Sequence, residues 1–158
     1  MAGGAGVYLP QDQFLSGAFD GNVPAPKTLW LSTEQRNAAA GILGHPYASL
    51  RVRYWQNGER IAFILNEIGK EKPITIGLVV ENNALRSVKI LEFRESRGWE
   101  VKSPAFTDQF TDGKLAEDHK LDRRIDGITG ATLSVRAVTK VSRLALTFYE
   151  YARQEKAN

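Results

Sequence analysis

Ile74-Thr75-Ile76-Gly77-Leu78-Val79-Val80-Glu81-Asn82-Asn83-Ala84-Leu85-Arg86-Ser87-Val88-Lys89-Ile90-Leu91-Glu92-Phe93 reads as two strands joined by a turn. Ile74, Ile76, Leu78 and Val80 recur at every second position, the period of a sheet with one face on a core. Asn82-Asn83 supplies the turn, because asparagine tolerates the left-handed backbone of tight hairpins. In the second run Val88 and Ile90 share one phase, whereas Leu91 and Phe93 take the other. A change of phase within a strand marks an inserted residue, so a β-bulge is expected near Ile90-Leu91.

Working upstream, Arg60 to Ile68 places Ile61, Phe63 and Leu65 on one face, and Gly69-Lys70-Glu71-Lys72 connects it to the next strand. Leu50 to Gln56 alternates Val52 and Tyr54 with arginines, and Asn57-Gly58 suits a type I′ hairpin turn. The sum is an antiparallel meander of about four strands. Ahead of it Ser32 and Gln35 fit a capping box. Ala38, Ala39, Ile42 and Leu43 then form a helix's apolar side, and Gly44 before His45-Pro46 stops it. Residues 1–28, rich in Gly, Pro and Asp, read as an extended N-terminal arm, leaving residues 29–158 as the domain. Met1-Ala2-Gly3-Gly4-Ala5-Gly6 reads as a cut end, with an export signal or membrane anchor expected ahead of it.

Downstream, Arg94 to Trp99 is a polar loop, and Lys102 to Phe110 is expected to form a short helix with Phe106 and Phe110 inward. Residues 111–125 are charged and irregular. From Ala137-Val138 through Val141, Leu144-Ala145, Phe148 and Tyr151-Ala152, apolar residues recur at three- and four-residue steps. Arg136, Lys140, Arg143, Glu150 and Arg153 occupy the other side of this long C-terminal helix. One sheet packed with helices makes an α+β domain.

The composition narrows function. With 158 residues, one domain is expected, and 42% hydrophobic residues suffice for a core. The net charge of +3 falls short of the clustered excess of a nucleic-acid binder. The absence of cysteine removes disulfides, thiol nucleophiles and thiolate metal sites. His45 and His119 are too few for a histidine-built metal site; His45 reads as a surface or capping residue and His119 as solvated. No apolar run approaches the roughly 18 residues of a membrane span.

Asp126-Gly127-Ile128-Thr129-Gly130-Ala131-Thr132-Leu133-Ser134 lies where the irregular segment meets the final helix. Small residues, hydroxyls and free N–H groups at a helix start make either a capped turn or an anion site. A nucleotide-binding phosphate loop is excluded, since no Gly-Lys-Ser/Thr follows. Gly127-Ile128-Thr129-Gly130 also matches the GXXG loop of KH domains, although Ile128-Thr129 are neutral and no helical pattern precedes them.

Asp126-x-x-Thr129-Gly130-Ala131-Thr132 resembles the flavinylation signature of the FMN-binding domain family, which includes the flavin subunits of sodium-pumping NADH:quinone oxidoreductase and of Rnf complexes. The resemblance implies FMN held covalently through a phosphoester to Thr132, installed by a magnesium-dependent FAD:protein FMN transferase. Thr129, Gly130 and Ala131 would adjoin the cofactor, and Asp126 and Gly127 would be read by the transferase. Many relatives carry a His-x-Glu-Thr-Pro-Gly loop where this chain has Phe93-Arg94-Glu95-Ser96-Arg97-Gly98, so Glu95, which would adjoin the cofactor, and Gly98 fall in register while the histidine and proline are missing. Trp99 follows and would either stack on the flavin or anchor the loop. Arg123 and Arg124 would either add positive charge near the attachment point or be solvated, as loop arginines commonly are. With no histidine or paired acid placed for a separate catalytic step, the chain is expected to be an electron carrier rather than an enzyme with its own small substrate, and no catalytic or metal-binding residue is assigned. It would serve a membrane or periplasmic redox partner, in the periplasm or on the outer face of a bacterial inner membrane, with no nucleic acid. The alternatives are a KH-like module using Gly127–Gly130 and a non-catalytic interaction domain.

Overall fold

A computed structural model describes residues 6–156. The suggestion of a cut end at Met1 to Gly6 falls almost wholly outside them. Among the described residues, six strands form one sheet: β1 (Gly6–Val7), β2 (Lys27–Trp30), β3 (Arg51–Asn57), β4 (Arg60–Ile68), β5 (Pro73–Glu81) and β6 (Ala84–Phe93). They lie in the order β1-β6-β5-β4-β3-β2 with every neighbouring pair antiparallel. The four-strand meander expected from the pattern is its centre. β2 and β1 extend it at opposite edges.

The bulge lies where the phase changes. Thr75 pairs with Glu92 and Ile76 with Ile90, so Leu91 is the extra residue. The insertion turns Leu91 to the far face while Val88, Ile90 and Phe93 stay in the main core. One hairpin turn differs from expectation. The residues between Asn57 and Arg60 are Gly58-Glu59, and only Gly58 takes positive φ there, at +63°. That fits the type II′ pattern, with glycine at the first central position. The paired left-handed residues sit instead at Asn82 and Asn83, with φ of +54° and +65°.

On one face the sheet packs against α2 (Thr33–Leu43) and α4 (Thr132–Lys156). In α2, the Ser32 hydroxyl accepts from Gln35 N at 3.1 Å and the Gln35 side chain accepts from Ser32 N at 3.0 Å, closing the capping box. Gly44 ends the helix in the left-handed conformation. α4 contributes Val138, Val141, Leu144, Ala145 and Phe148 to a core shared with Ile61, Phe63, Ile76 and Leu78. Between β6 and α4, Phe106 in α3 (Pro104–Thr107) and Phe110 just after it are buried, as their spacing predicted.

Residues 6–28 are more structured than an extended arm. They hold β1 and α1 (Gln11–Ala18) before β2 begins at Lys27. α1 buries Phe14 and Leu15, and Phe19 follows, against Trp55, Ala62, Val79 and Leu91 on the second face of the sheet. β4 and β5 are therefore covered on both sides, which accounts for their near-continuous apolar sequence.

The irregular stretch ahead of α4 is tied down by polar contacts. Leu115 and Leu121 form an antiparallel bridge. Asp112 N donates to Leu85 O at 2.7 Å, and Leu85 N to Gly113 O at 2.8 Å. His119 is half-buried rather than freely solvated: Nδ1 lies 3.2 Å from Thr147 Oγ1, and its carbonyl accepts from Arg143 Nε at 2.7 Å. These contacts deliver the chain to the start of α4 along a defined path.

Candidate functional site

Three segments distant in sequence meet around the first turn of α4. The β4–β5 turn brings Lys70 and Glu71, the chain leaving β6 brings Glu95, Ser96, Arg97 and Gly98, and the helix start brings Gly130 to Ser134. Together they line a groove of about 530 Å³. Residues Ile128 to Ala131 form a β-turn closed by Ala131 N donating to Ile128 O at 2.9 Å. Gly130 sits at its third position with φ +82°, a conformation glycine adopts without a Cβ penalty. Val135 N then bonds Ala131 O at 2.9 Å, and α4 is under way from Thr132. Thr132 is exposed on the groove, next to the small Gly130 and buried Ala131.

Glu95 supplies the second wall. Its Oε2 accepts backbone N–H bonds from Lys70 at 2.6 Å, Glu71 at 2.7 Å and Lys72 at 3.3 Å. Burial raises the carboxyl's pKa, but the bonds from the Glu71, Lys70 and Lys72 amides outweigh it, leaving the pKa below the ordinary glutamate value. Arg94 adds a second fastening, donating from Nη1 to Pro73 O at 2.8 Å and Thr75 Oγ1 at 3.1 Å. The floor is tight. A Cβ on Gly98, whose φ is +88°, would stand 2.8 Å from Ser134 Oγ, and one on Gly69 would stand 3.3 Å from the same atom.

Of the residues singled out in the sequence, Thr132, Gly130, Ala131 and Glu95 share this groove. Asp126 and Gly127 do not. They line a separate hollow of about 410 Å³ with Glu100, Phe106, Gln109 and Ile128. Asp126 is held there through its backbone: its N–H donates to Gln109 Oε1 at 2.7 Å and its carbonyl accepts from Gln109 Nε2 at 3.3 Å. Thr129 is exposed in the turn between the two and lines neither. Trp99 is also outside the groove lining. It is 37% exposed, and Lys102 Nζ lies 5.6 Å from its ring and 4.3 Å from that of Tyr8.

Positive charge at the groove comes from residues other than Arg123. Arg123 is engaged away from the groove, donating to Thr111 O at 2.8 Å, Asp112 O at 3.0 Å and Asp122 Oδ1 at 2.9 Å. Lys70 and Arg97 line the groove instead. Lys70 and Arg97 carry no mark in the sequence, because nothing local distinguishes them; strand order alone brings them beside Thr132 and Ser134. The KH-like alternative also loses its footing, since an irregular segment rather than a helix precedes Gly127 to Gly130. Among the described residues no helix is long and apolar enough to cross a membrane, and no three His, Asp or Glu side chains gather as a metal site.

The sequence model of the FMN-binding domain family matches residues 69–147. The fold is similar to the crystal structure of Shewanella oneidensis NqrC, with a TM-score of 0.66 over 92% of this chain and 95% of that one. Sequence identity is 15%, so the likeness is one of fold. No curated protein matches the sequence.

Proposed function

The chain belongs to the FMN-binding domain family, and we propose that it is an electron-transfer domain carrying FMN in phosphoester linkage to Thr132. The observation that carries this reading is the exposure of Thr132 on the groove that it shares with the Glu95–Gly98 loop. The residues fit the group. The groove's volume is within the usual range of small-molecule sites, roughly 300–1,000 Å³. Gly130 and Ala131 leave the acceptor hydroxyl sterically open, and the start of α4, with Lys70 and Arg97, favours a phosphodiester's negative charge. When bound, FMN supplies the exchange of electrons, one or two at a time. The chain tethers the cofactor, orients it and sets its surroundings.

Attachment requires a second protein. The Thr132 hydroxyl would take the FMN group from FAD, losing its proton and forming a phosphoester as AMP leaves, on a magnesium-dependent FAD:protein FMN transferase. Asp126 and Gly127, in the hollow beyond the turn, are accessible to that enzyme while the acceptor faces the groove. A carboxylate turned from the groove also avoids repelling the product phosphodiester. A tethered flavin suits the periplasm or the outer face of a bacterial inner membrane, where lost cofactor is hard to replace, and its exchange partner would be a membrane or periplasmic redox protein.

Co-expression with the transferase, followed by mass measurement of the denatured chain, tests the linkage. The wild-type chain is expected to gain the mass of one FMN group, and Thr132→Val to gain none. A wild-type chain without the increment, or a Thr132→Val chain that keeps it, rules the assignment out.

A further inference from the structure

Beyond tethering, and resting on the flavin reading above, we propose that Glu95 is a positioning residue of the groove, latching the β4–β5 turn to the end of β6 and standing as a fixed anion that lowers the flavin's reduction potential. The latch is visible in the bonding. Consecutive backbone N–H groups that converge form a nest for an anion, and here the anion comes from the chain itself. Three amides of the turn point at Glu95 Oε2, 23 to 25 residues away in sequence. Without the carboxylate those three donors would lose the acceptor they share.

Packing carries the latch to the attachment point. A Cβ at Gly69 would lie 3.5 Å from Glu95 Oε2 and 3.3 Å from Ser134 Oγ. The turn, the glutamate and the first turn of α4 thus close around one point where a side chain at residue 69 would have little room, and Ser134 is two residues from Thr132. Shifting the turn shifts the wall that Thr132 faces.

The charge has its own consequence. Lys70 and Arg97 line the groove against Glu71 and Glu95, two cations and two anions. The three amides hold Glu95 ionised, so its charge is present throughout the neutral range. A negative charge beside a group that gains electrons opposes the gain, more strongly where water is partly excluded. Removing it tips the groove's balance to positive and eases reduction.

Two substitutions separate the roles. Glu95→Gln keeps an oxygen for the nest and drops the charge, whereas Glu95→Ala drops both. In the flavin-free chain, amide hydrogen exchange at Lys70, Glu71 and Lys72 is expected to quicken at least tenfold in Glu95→Ala and to stay within threefold of wild type in Glu95→Gln. In the flavin-loaded chain, equilibrated with a reference dye at fixed potential, the reduced-to-oxidised ratio is expected to rise at least threefold in both. Unchanged exchange in Glu95→Ala overturns the latch, and an unchanged ratio in Glu95→Gln overturns the electrostatic role. If the wild-type chain gains no FMN mass, the flavin reading and the electrostatic role fall together, while the exchange measurement still decides the latch.

Discussion

His45 stands between two acceptors, with Nδ1 2.9 Å from Pro46 O and Nε2 2.9 and 3.0 Å from the Glu67 carboxylate oxygens. Only the imidazolium donates from both nitrogens at once. The Glu67 bond first, and the Pro46 carbonyl second, raise the His45 pKa above its ordinary value, against a smaller lowering by burial and by Lys140. A raised folded-state pKa means stability that is fully present below about pH 6.5 and lost as pH rises through the folded value. Denaturant titrations at pH 5.5 and 8.5 should therefore show a larger drop for wild type than for Glu67→Gln. The difference should be about 0.2–1 kcal/mol, because His45 is half exposed and solvent screens the pair. An equal drop in both proteins would contradict it. At this scale the sequence was legible where the partner is near: Ser32 and Gln35 are three residues apart, Asn82 and Asn83 adjacent. Glu67 is 22 residues from His45, and no pattern links them.

α1 shows why one element was missed. Eight residues form a marginal helix in isolation, and Phe14 and Leu15 are too short a run to establish a period. Its stability comes from the sheet. Gly77, in the middle of β5, lets the Phe14 ring approach so closely that a Cβ there would stand 2.7 Å from Cε1 and Cζ. Glycine inside a strand often marks such an approach. Gly77→Ala is expected to cost about 1–3 kcal/mol through overpacking, measured by urea denaturation. Amide exchange should quicken across Gln11–Ala18 more than in β4. A variant as stable as wild type, with α1 still protected, would show that the contact is dispensable. β5 and β6, by contrast, were readable in detail, because alternation and a phase break are properties of the strands themselves.

Across the whole molecule α4 joins the two hairpin tips at the end of the sheet that Gly58 and Asn82 occupy. The Tyr149 hydroxyl donates to Glu59 O at 2.7 Å and accepts from Asn82 N at 3.1 Å, and Arg153 pairs with Glu59 at 2.6 Å. Tyr149→Phe keeps the packing and orphans one carbonyl and one N–H, so a loss of about 1–2 kcal/mol in thermal or denaturant unfolding is expected. A loss below about 0.3 kcal/mol would mean that water replaces both bonds. The opposite end of the sheet, with the Gly69–Lys72 turn and the β6 exit, receives the start of the same helix and carries the groove. The α+β class, the meander, the bulge, the caps of α2 and a start for α4 within Asp126–Ser134 followed from the sequence alone, since each depends on period, turn chemistry or a motif of contiguous residues. Tertiary structure alone decided that β1 and β2 widen the sheet, that α1 covers its second face, that Asp126 and Thr132 face different hollows, and that Lys70 and Arg97, not Arg123, line the groove. The reason is common to all four: each rests on contacts or exposures set by strand order and packing, and a linear pattern encodes only neighbours along the chain.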